Sequence, residues 1–403
     1  MDADTTDRPR PLSGVTVLDL GQIYQGPYCG TILSFLGADV VKVERPGGET
    51  IRDRRDDGEV PVAQILNPSK RGITINLKSD DGTALLKDLV EKADVLIENF
   101  ASGKMADLGV GYEDLREVNP GLVYGHGSGY GDDGPYTQYP AMDLTIQAMG
   151  GVIHTTGYPD GRPVKAGPAF ADFLGGIHLA AGICGALVER EQTGEGRYVE
   201  VGMYDCIYPT LASSLGAWAE QKDVPARTGN HHSGMAIAPY SVYEAEDGFV
   251  AVACIAERHW HALVDLMDRP DLHSEERFAT KAKRGDNIEE VDEIVEAWVS
   301  TMGKDEVVDL LLDNSIPAAP VQTVEEVIDD PHLRHRGMIH DHENRGEGTD
   351  TVPVPGSPIK FGESADPDVS PAPSVGEHTE EVLGELLGYG AEELARLRER
   401  DAL

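Results

Sequence analysis

Short apolar runs alternate with amphipathic stretches in the first half of the chain, and this pattern predicts strands and helices in turn. Residues 14–20 form an apolar run of strand length, and residues 28–36 carry apolar side chains at helical spacing. Residues 38–44 form a second run of strand type. A strand, a helix and a strand in this order predict a βαβ unit, which implies a parallel sheet.

The same alternation continues further along the chain. Residues 84–93 have a helical pattern and precede a strand at 94–99, and shorter strands are predicted at 122–125 and 198–201. An apolar helix with several small residues is predicted at 177–189. The predicted fold class is therefore α/β, with a Rossmann-like parallel sheet in a large domain.

The periodic pattern is lost around residues 223–233 and then resumes, which indicates a second, smaller α+β domain. A helix is predicted at 205–221 before the break, and a strand at 249–253 and helices near 259–267 and 288–302 follow it. The predicted division is the N-terminal part of a large domain at 1–205, a linker at 206–228, a small domain at 229–328, and a return linker with a C-terminal part packing on the large domain at 329–403.

Charge narrows the classes of function. The chain has 71 acidic against 34 basic residues and a net charge of −37, so it repels nucleic acid and anionic membranes. Self-repulsion of this size predicts a host with a salt-rich cytoplasm, because salt screens it. The N-terminus lacks the apolar core of a signal peptide, and the four cysteines form no C-x-x-C pair. We expect a cytoplasmic enzyme.

Two glycine-rich segments are candidates for ligand contact. The loop after the first strand carries Gly21, Gly26 and Gly30 but lacks the G-x-G-x-x-G fingerprint, which argues against a nicotinamide dehydrogenase. It leaves open another ligand at the carboxyl ends of the strands. Alternating glycines at 125–131 either admit a ligand close to the backbone or form a mobile loop.

Histidines offer two further candidates. A group of four has spacings that could bind a metal, but its segment is highly charged and we predict no metal there: His332, His335, His340 and His342. The stretch 231–234 reads His-His-Ser-Gly and lies at the apparent domain junction. It is a candidate for substrate contact or an ordinary surface loop.

Asp172 is the acidic residue with the most informative surroundings. It lies in Gly-Pro-Ala-Phe-Ala-Asp-Phe-Leu-Gly-Gly at 167–176, among small and apolar residues just before the predicted helix. Such an acid is either a helix cap or a nucleophile, since a helix start stabilises a carboxylate and small neighbours admit an acyl group. Spacing alone leaves both interpretations open.

Read together, the segments resemble the class III CoA-transferases, the family of formyl-CoA and carnitine CoA-transferases. The resemblance covers nearly the whole chain, and the order and spacing of its motifs make it specific. The matching motifs lie at 11–19, 26–27, 36–46, 67–73, 98–100, 185–187 and 193–196.

The resemblance implies a catalytic aspartate at Asp172 and a supporting acid at Asp143. It implies acyl-CoA and carboxylic acids as substrates, an interlocked homodimer, and no permanently bound cofactor or metal. Basic residues suit coenzyme A because it carries three phosphate groups. The positions expected to contact CoA are Tyr24, Gln25, Arg45, Asn67, Lys70, Arg71, Asn99, Phe100, Lys104 and Tyr130; Lys104 is the basic residue that remains after the Glu-Asn-Phe motif.

In the family scheme the aspartate attacks a thioester and passes through an anhydride and an aspartyl-CoA thioester. The related 2-methylacyl-CoA racemases pair their aspartate with a histidine, and Met142 occupies the matching position here. Methionine transfers no proton, so the transferase is favoured over the racemase. A CoA-binding module without chemistry is the third alternative.

The expected donor is succinyl-CoA, and the expected acceptor is mesaconate or another dicarboxylate. The residues expected to contact the acid, some of them in a lid, are Arg227, His231, His232, Ser233 and Gly234.

Overall fold

The computed structural model describes residues 8–55, 60–362 and 364–403, so residues 1–7 of the predicted large domain lie outside the described part. The chain divides into two compact units. The first comprises Met1–Gln147, Pro168–Ile207 and Ile328–Leu403, and the second comprises Ala148–Gly167 and Tyr208–Val327.

The first unit is built on a six-stranded sheet in which every neighbouring pair is parallel. This confirms the predicted Rossmann-like sheet. The strand order is β3-β2-β1-β4-β5-β6, so the chain builds one half outward from β1, then crosses over and builds the other half from β4. In such sheets ligands bind where the order reverses, at the carboxyl ends of the strands. The strands are β1 Thr16–Asp19, β2 Asp39–Glu44, β3 Arg71–Thr74, β4 Val95–Glu98, β5 Val123–Ser128 and β6 Tyr198–Gly202.

Helices cover both faces of this sheet, which explains why strands such as β1 and β4 carry apolar residues at successive rather than alternating positions. Val17 of β1 packs in one buried cluster with Leu33, and Leu18 packs in another with Leu86. The first nine helices are α1 Gln25–Phe35, α2 Pro61–Leu66, α3 Asp80–Val90, α4 Lys104–Asp107, α5 Tyr112–Val118, α6 Asp143–Met149, α7 Val152–Thr155, α8 Phe170–Thr193 and α9 Met203–Ile207.

Helix α8 is longer than its pattern predicted and begins before residue 177. Its small residues pack closely on α1, and its buried positions include Leu179 and Ile183, which join the cluster around Val17. The helix is long and apolar enough to cross a membrane, but half of its most apolar window is buried inside the protein. That burial is typical of a core helix, which passes the same test of length and composition.

The second unit contains a three-stranded antiparallel sheet in the order β7-β8-β9. The helix predicted at 205–221 is broken into α9, a 3-10 turn at Tyr208–Leu211 and α10, and the turn contains Pro209, which cannot donate a backbone hydrogen bond. Its elements are α10 Ala212–Ala219, β7 Tyr240–Ala245, β8 Gly248–Ala253, α11 Glu257–Leu266, α12 Lys281–Asp286, α13 Ile288–Val299, α14 Lys304–Asp313, β9 Ala318–Pro320 and α15 Val324–Ile328, of which Ile328 already counts with the first unit.

The units differ from the predicted domains in two segments, 148–167 and 208–228, which both belong to the second unit. Arg227 shows why, because its guanidinium donates hydrogen bonds to the carbonyls of Tyr158, Pro159 and Gly161. These contacts join residues that are distant in the chain, and hydrophobic periodicity reports only on local structure.

The C-terminal part returns to the first unit, where its helices complete a buried cluster on the sheet. Val382 and Leu394 pack in the cluster that contains Leu18 and Leu86. The elements are α16 Pro331–His335, β10 Ile339–Glu343, β11 Thr351–Pro355, α17 Thr379–Leu387 and α18 Ala391–Glu399, with β10 and β11 forming an antiparallel pair.

Candidate active site

A cavity of about 390 Å³ opens within the first unit where the strand order reverses. Loops after β1, β4 and β5 and the first turn of α8 line it, contributing Gln22, Asn99, Gly129 and Asp172 among others. Asp172 is the one acidic side chain among the described residues that line this cavity. The arrangement places a single carboxyl group at the position where this class of sheet binds its ligand.

The electrostatic environment of Asp172 opposes its ionisation. The side chain is 8% exposed, and burial together with the charge of nearby Asp143 raises its pKa to about 7. The first turn of α8 acts in the other direction, since a helix N-terminus favours a carboxylate. Burial outweighs the helix, and a carboxyl group with such a pKa has more basic oxygens than an ordinary aspartate.

Asp143 anchors the start of α8. Ala169 precedes the helix, and its methyl side chain cannot cap the first backbone N–H groups. Asp143 Oδ1 instead accepts a hydrogen bond of 2.7 Å from the backbone N–H of Ala171, and its Oδ2 accepts one of 2.6 Å from Gln147 Nε2. Asp143 therefore caps the helix from α6 and fixes the residue before Asp172. Met142, its neighbour in sequence, lines the cavity.

Side chains from other elements hold the backbone of the loop after β1 at Gly21, Gln22 and Ile23. Asn99 Oδ1 accepts from Gln22 N at 2.6 Å, and Asn99 Nδ2 donates to Gln22 O at 3.0 Å. Ile23 N donates to Glu49 Oε2 at 2.7 Å, and Lys42 Nζ donates to Gly21 O. Ile23 has φ of 65°, a costly value for a β-branched residue. These bonds keep a strained wall of the cavity in place.

A buried histidine supports the adjoining loop after β4. His126 Nδ1 lies 2.6 Å from Glu98 Oε1, and its Nε2 lies 3.2 Å from Asp132 Oδ1, an ion-pair contact without a formed hydrogen bond. Burial lowers the pKa of His126, but its contacts with Asp132 and Glu98 outweigh burial and raise it to about 10. The other Glu98 oxygen accepts a hydrogen bond of 2.8 Å from Phe100 N. An imidazolium between two carboxylates thus fixes the backbone at Phe100.

A second cavity of about 180 Å³ adjoins the first, and the two share Gln22 and Phe100 as lining residues. Its charged lining residues are the basic Arg45, Lys78 and Lys104, which follow β2, β3 and β4 in the chain, and the acidic Glu44 and Glu49. Lys78 was not among the predicted residues. The strand β3, which precedes Lys78 in the chain, was not predicted, although the β-branched stretch Ile-Thr-Ile at 73–75 was available as a signal.

Three residues predicted to contact CoA lie elsewhere in the fold. Lys70 is buried and its Nζ contacts Asp19 at 2.7 Å and Asn67 Oδ1 at 2.9 Å. Asn67 is buried as well, and its Nδ2 donates a hydrogen bond to Ala63 O. Arg71 is the first residue of β3, so it lies at the amino ends of the strands, away from the cavity. It forms ion pairs there with Asp39, Glu381 and Glu385. We leave Asn67, Lys70 and Arg71 out of the site proposed below.

The remaining predicted residues of the first unit lie at the cavity. Gln25, Asn99, Phe100 and Tyr130 are among its lining residues. Tyr24 immediately precedes α1, and its ring packs against Phe173, the residue after Asp172, at 6.0 Å between centroids.

The predicted acid-binding residues belong to the second unit. His231 Nε2 lies 2.6 Å from Asp292 Oδ2, and His232 Nδ1 accepts a hydrogen bond from Gly234 N. Arg227 directs its guanidinium at backbone carbonyls of its own unit. Ser233 lies between the two bonded residues of the 231–234 loop. These contacts give the loop a defined internal structure within the second unit.

Comparison with known proteins decides the family. The model of CoA-transferase family III matches residues 12–379. The chain belongs to CoA-transferase family III. It is therefore a CoA-transferase, and the resemblance inferred from its motifs is confirmed.

Similar proteins match over nearly the whole chain. A succinyl-CoA:mesaconate CoA-transferase of Haloarcula marismortui is 38% identical over 385 residues, covering 93% of this chain and 96% of that protein. A succinate–glutarate CoA-transferase of Agrobacterium fabrum is 35% identical over 393 residues, covering 95% and 97%. The crystal structure of a CaiB/BaiF family protein from Brucella suis superposes with a TM-score of 0.83 at 34% identity, covering 94% of this chain and all of that one.

Proposed function

We propose that this enzyme transfers coenzyme A from succinyl-CoA to a dicarboxylate such as mesaconate, with Asp172 as the nucleophile. The observation that carries the proposal is a lone, buried carboxyl group with a pKa of about 7 in the cavity where the strand order reverses. The names of the similar proteins, which include succinyl-CoA:mesaconate and succinate–glutarate CoA-transferases, support the choice of dicarboxylate substrates.

The proposed reaction begins when an Asp172 oxygen attacks the thioester carbonyl carbon. The carbon–sulfur bond breaks, CoA leaves as its thiolate, and a mixed anhydride remains on Asp172. The thiolate then attacks the Cγ of Asp172, which gives an aspartyl-CoA thioester and releases the donor acid with the bridging oxygen. The acceptor carboxylate reverses both steps. One thioester replaces another, so the exchange needs neither ATP nor a permanently bound cofactor.

The two adjoining cavities support an extended position for the CoA substrate. Its phosphates would lie near Arg45, Lys78 and Lys104, and its thioester would reach Asp172 past Gln22 and Phe100. Basic side chains suit the phosphates, and the buried cavity excludes the water that would hydrolyse an anhydride.

The resemblance also implies an interlocked homodimer, and we propose this assembly and a cytoplasmic location for the chain. Exposed apolar side chains on α8 support the assembly, because Ile177 is 46% exposed and Val188 is 64% exposed. Such residues on a core helix are suited to contact with another surface.

The decisive experiment measures whether oxygen atoms are transferred from the acceptor acid to Asp172. Mesaconate with heavy oxygen in its carboxylates is supplied with succinyl-CoA, and the peptide containing Asp172 is then analysed by mass spectrometry. The proposed route leaves one acceptor oxygen on Asp172 in each turnover, so the peptide becomes labelled. Direct reaction between the two substrates leaves Asp172 unlabelled and would contradict the proposal.

Two controls separate the alternatives. The Asp172→Asn variant is expected to lose turnover while still binding CoA, because the amide is a poor nucleophile. Turnover that survives this substitution would refute Asp172 as the nucleophile. Deuterium uptake at the α-carbon of a 2-methylacyl-CoA, without exchange between acids, would indicate a racemase, whereas CoA binding without either reaction would indicate a binding module. A mass-resolved panel of acceptor acids then tests the choice of mesaconate.

A further inference from the structure

We propose that Gln25 donates a hydrogen bond from its side-chain amide to the thioester carbonyl oxygen of the bound acyl-CoA, where negative charge develops during attack. The proposal rests on the function proposed for Asp172 and gives Gln25 a role in the chemical step, in place of a general contact with CoA. Three features of Gln25 carry it: its burial beside the cavity, its incomplete hydrogen bonding, and the space that two glycines leave around it.

Gln25 is nearly inaccessible to solvent but faces the cavity of Asp172. Its side chain is 1% exposed, and the residue lines that cavity. Among the described residues, its Nε2 makes one long hydrogen bond of 3.4 Å, to Val201 O, and no partner is seen there for the second amide hydrogen. Its Oε1 accepts no hydrogen bond from a described residue. An amide with this little hydrogen bonding gains from a ligand that accepts a hydrogen bond from it.

Two glycines on different elements make room for this amide. A Cβ added to Gly127 of β5 would lie 2.7 Å from Gln25 Cδ, and one added to Gly175 of α8 would lie 2.6 Å from Gln25 Nε2. Any other residue at either position would displace the amide. Gly175 follows Asp172 by three residues, about one helical turn, so the amide packs on the helix that presents the nucleophile.

Part of the nearby backbone is already engaged. The N–H groups of Gly21, Gln22 and Ile23 donate to the side chains of Asp19, Asn99 and Glu49. These three N–H groups are therefore not available to an oxyanion. A preorganised glutamine amide is a known way to stabilise an oxyanion, and it acts most strongly where water is excluded.

The test replaces Gln25 with methionine, which has a similar shape and no donor. We expect kcat to fall about 100- to 1,000-fold, the range for loss of one oxyanion donor, with KM changing by less than about threefold. The affinity for free CoA, measured by calorimetry, should stay as in the wild type. The melting temperature should remain unchanged or rise, because an incompletely bonded buried amide has been removed.

Gln64 provides a matched control. It is also buried, neither of its amide atoms has a partner among the described residues, and it does not line the cavity. Gln64→Met should therefore leave kcat unchanged. Gln25→Glu keeps the size of the side chain but places an acceptor where a donor is needed, so it should lose at least as much activity as Gln25→Met.

The outcomes separate this inference from the function on which it rests. If Asp172→Asn is inactive while Gln25→Met and Gln25→Glu keep near-normal kcat, the role of Gln25 is refuted and the nucleophile stands. A loss of kcat that follows a lowered melting temperature would assign Gln25 a structural role instead. A weaker affinity for free CoA with unchanged kcat would place Gln25 on the coenzyme and also overturn the proposal.

Discussion

Asp172 lies in a setting that makes its charged form costly. Burial and the charge of Asp143 raise its pKa to about 7, whereas a free aspartic acid titrates near 3.9. The folded enzyme must therefore retain a proton or accept an unfavourable charge at neutral pH. We infer that part of the stability of the fold is given up to obtain a more basic carboxylate.

This trade-off predicts a pH-dependent gain in stability for Asp172→Asn. Because the folded pKa is raised, the wild type loses stability as pH rises from about 4 to about 7, while the amide variant carries no such charge. At pH 8 the variant should be more stable by on the order of 2–3 kcal/mol, and the difference should shrink at pH 5. Urea unfolding at both pH values measures it; equal differences at both would contradict the prediction.

His126 has the opposite effect on stability. Its charged form is held between Glu98 and Asp132 with a pKa of about 10. A histidine whose folded pKa is raised contributes stability that is present below about 6.5 and lost as pH rises towards 10. His126→Gln should therefore cost on the order of 3 kcal/mol at pH 6 and much less at pH 10.

Thermal unfolding across this pH range tests the prediction for His126. The exposed His335 serves as the control, since His335→Gln should leave the pH profile unchanged. A constant loss of stability in His126→Gln at every pH would indicate a packing defect rather than the loss of a charged contact.

At the scale of elements, α8 links the core to the active site. The helix presents Asp172 in its first turn and packs against α1, whose first residue is Gln25. The crossing is close because glycines lie at the contact. A Cβ added to Gly176 would lie 2.8 Å from Gln25 O and 3.4 Å from Cys29 N, which are backbone atoms of α1.

Two glycines of α8 give a matched pair of substitutions. Gly176→Ala should push the two helices apart, destabilise the fold by about 1–3 kcal/mol and reduce kcat, because Asp172 moves relative to the loop after β1. A Cβ added to Gly185 meets no atom within 4 Å, so Gly185→Ala should stabilise the fold by about 0.5–1 kcal/mol and spare kcat. Similar effects of the two changes on melting temperature and kcat would show that the close crossing is unimportant.

The acidic excess is a property of the whole molecule. Many of the acidic residues lie on helices, and α13, α14, α15, α17 and α18 each carry two acidic residues in their first turn. Acids in a first turn favour each helix locally. Their sum nevertheless repels itself across the compact fold.

Salt should therefore stabilise this enzyme. We propose that it works in a salt-rich cytoplasm and expect its melting temperature and activity to rise between about 0.1 M and 2 M KCl, as the Debye length falls from about 10 Å to below 3 Å. Equimolar sucrose controls for effects other than screening. Full stability and activity without added salt would contradict the proposal.

The accuracy of prediction differed between fold and site. The strands β1, β2, β4, β5 and β6 were predicted from short runs rich in apolar residues, as expected for buried parallel strands, whereas β3 was not predicted. Because β3 was not predicted, Lys78 was not considered as a residue lining the second cavity. A basic residue in a motif can serve either a phosphate or an internal ion pair. Lys70 forms a buried ion pair with Asp19, and its contact with CoA stays a prediction.

The sequence by itself determined the α/β class, the family and the place of Asp172 at the start of a helix. Apolar periodicity and the order of motifs are properties of the linear sequence, so they need no tertiary contacts to be recognised. The tertiary structure decided what depends on contacts between distant residues. It buried Asp172 beside Asp143, which raised its pKa, and it enclosed the Gln25 amide between Gly127 and Gly175. Desolvation and close packing arise only when remote segments meet, and so no local pattern could specify them.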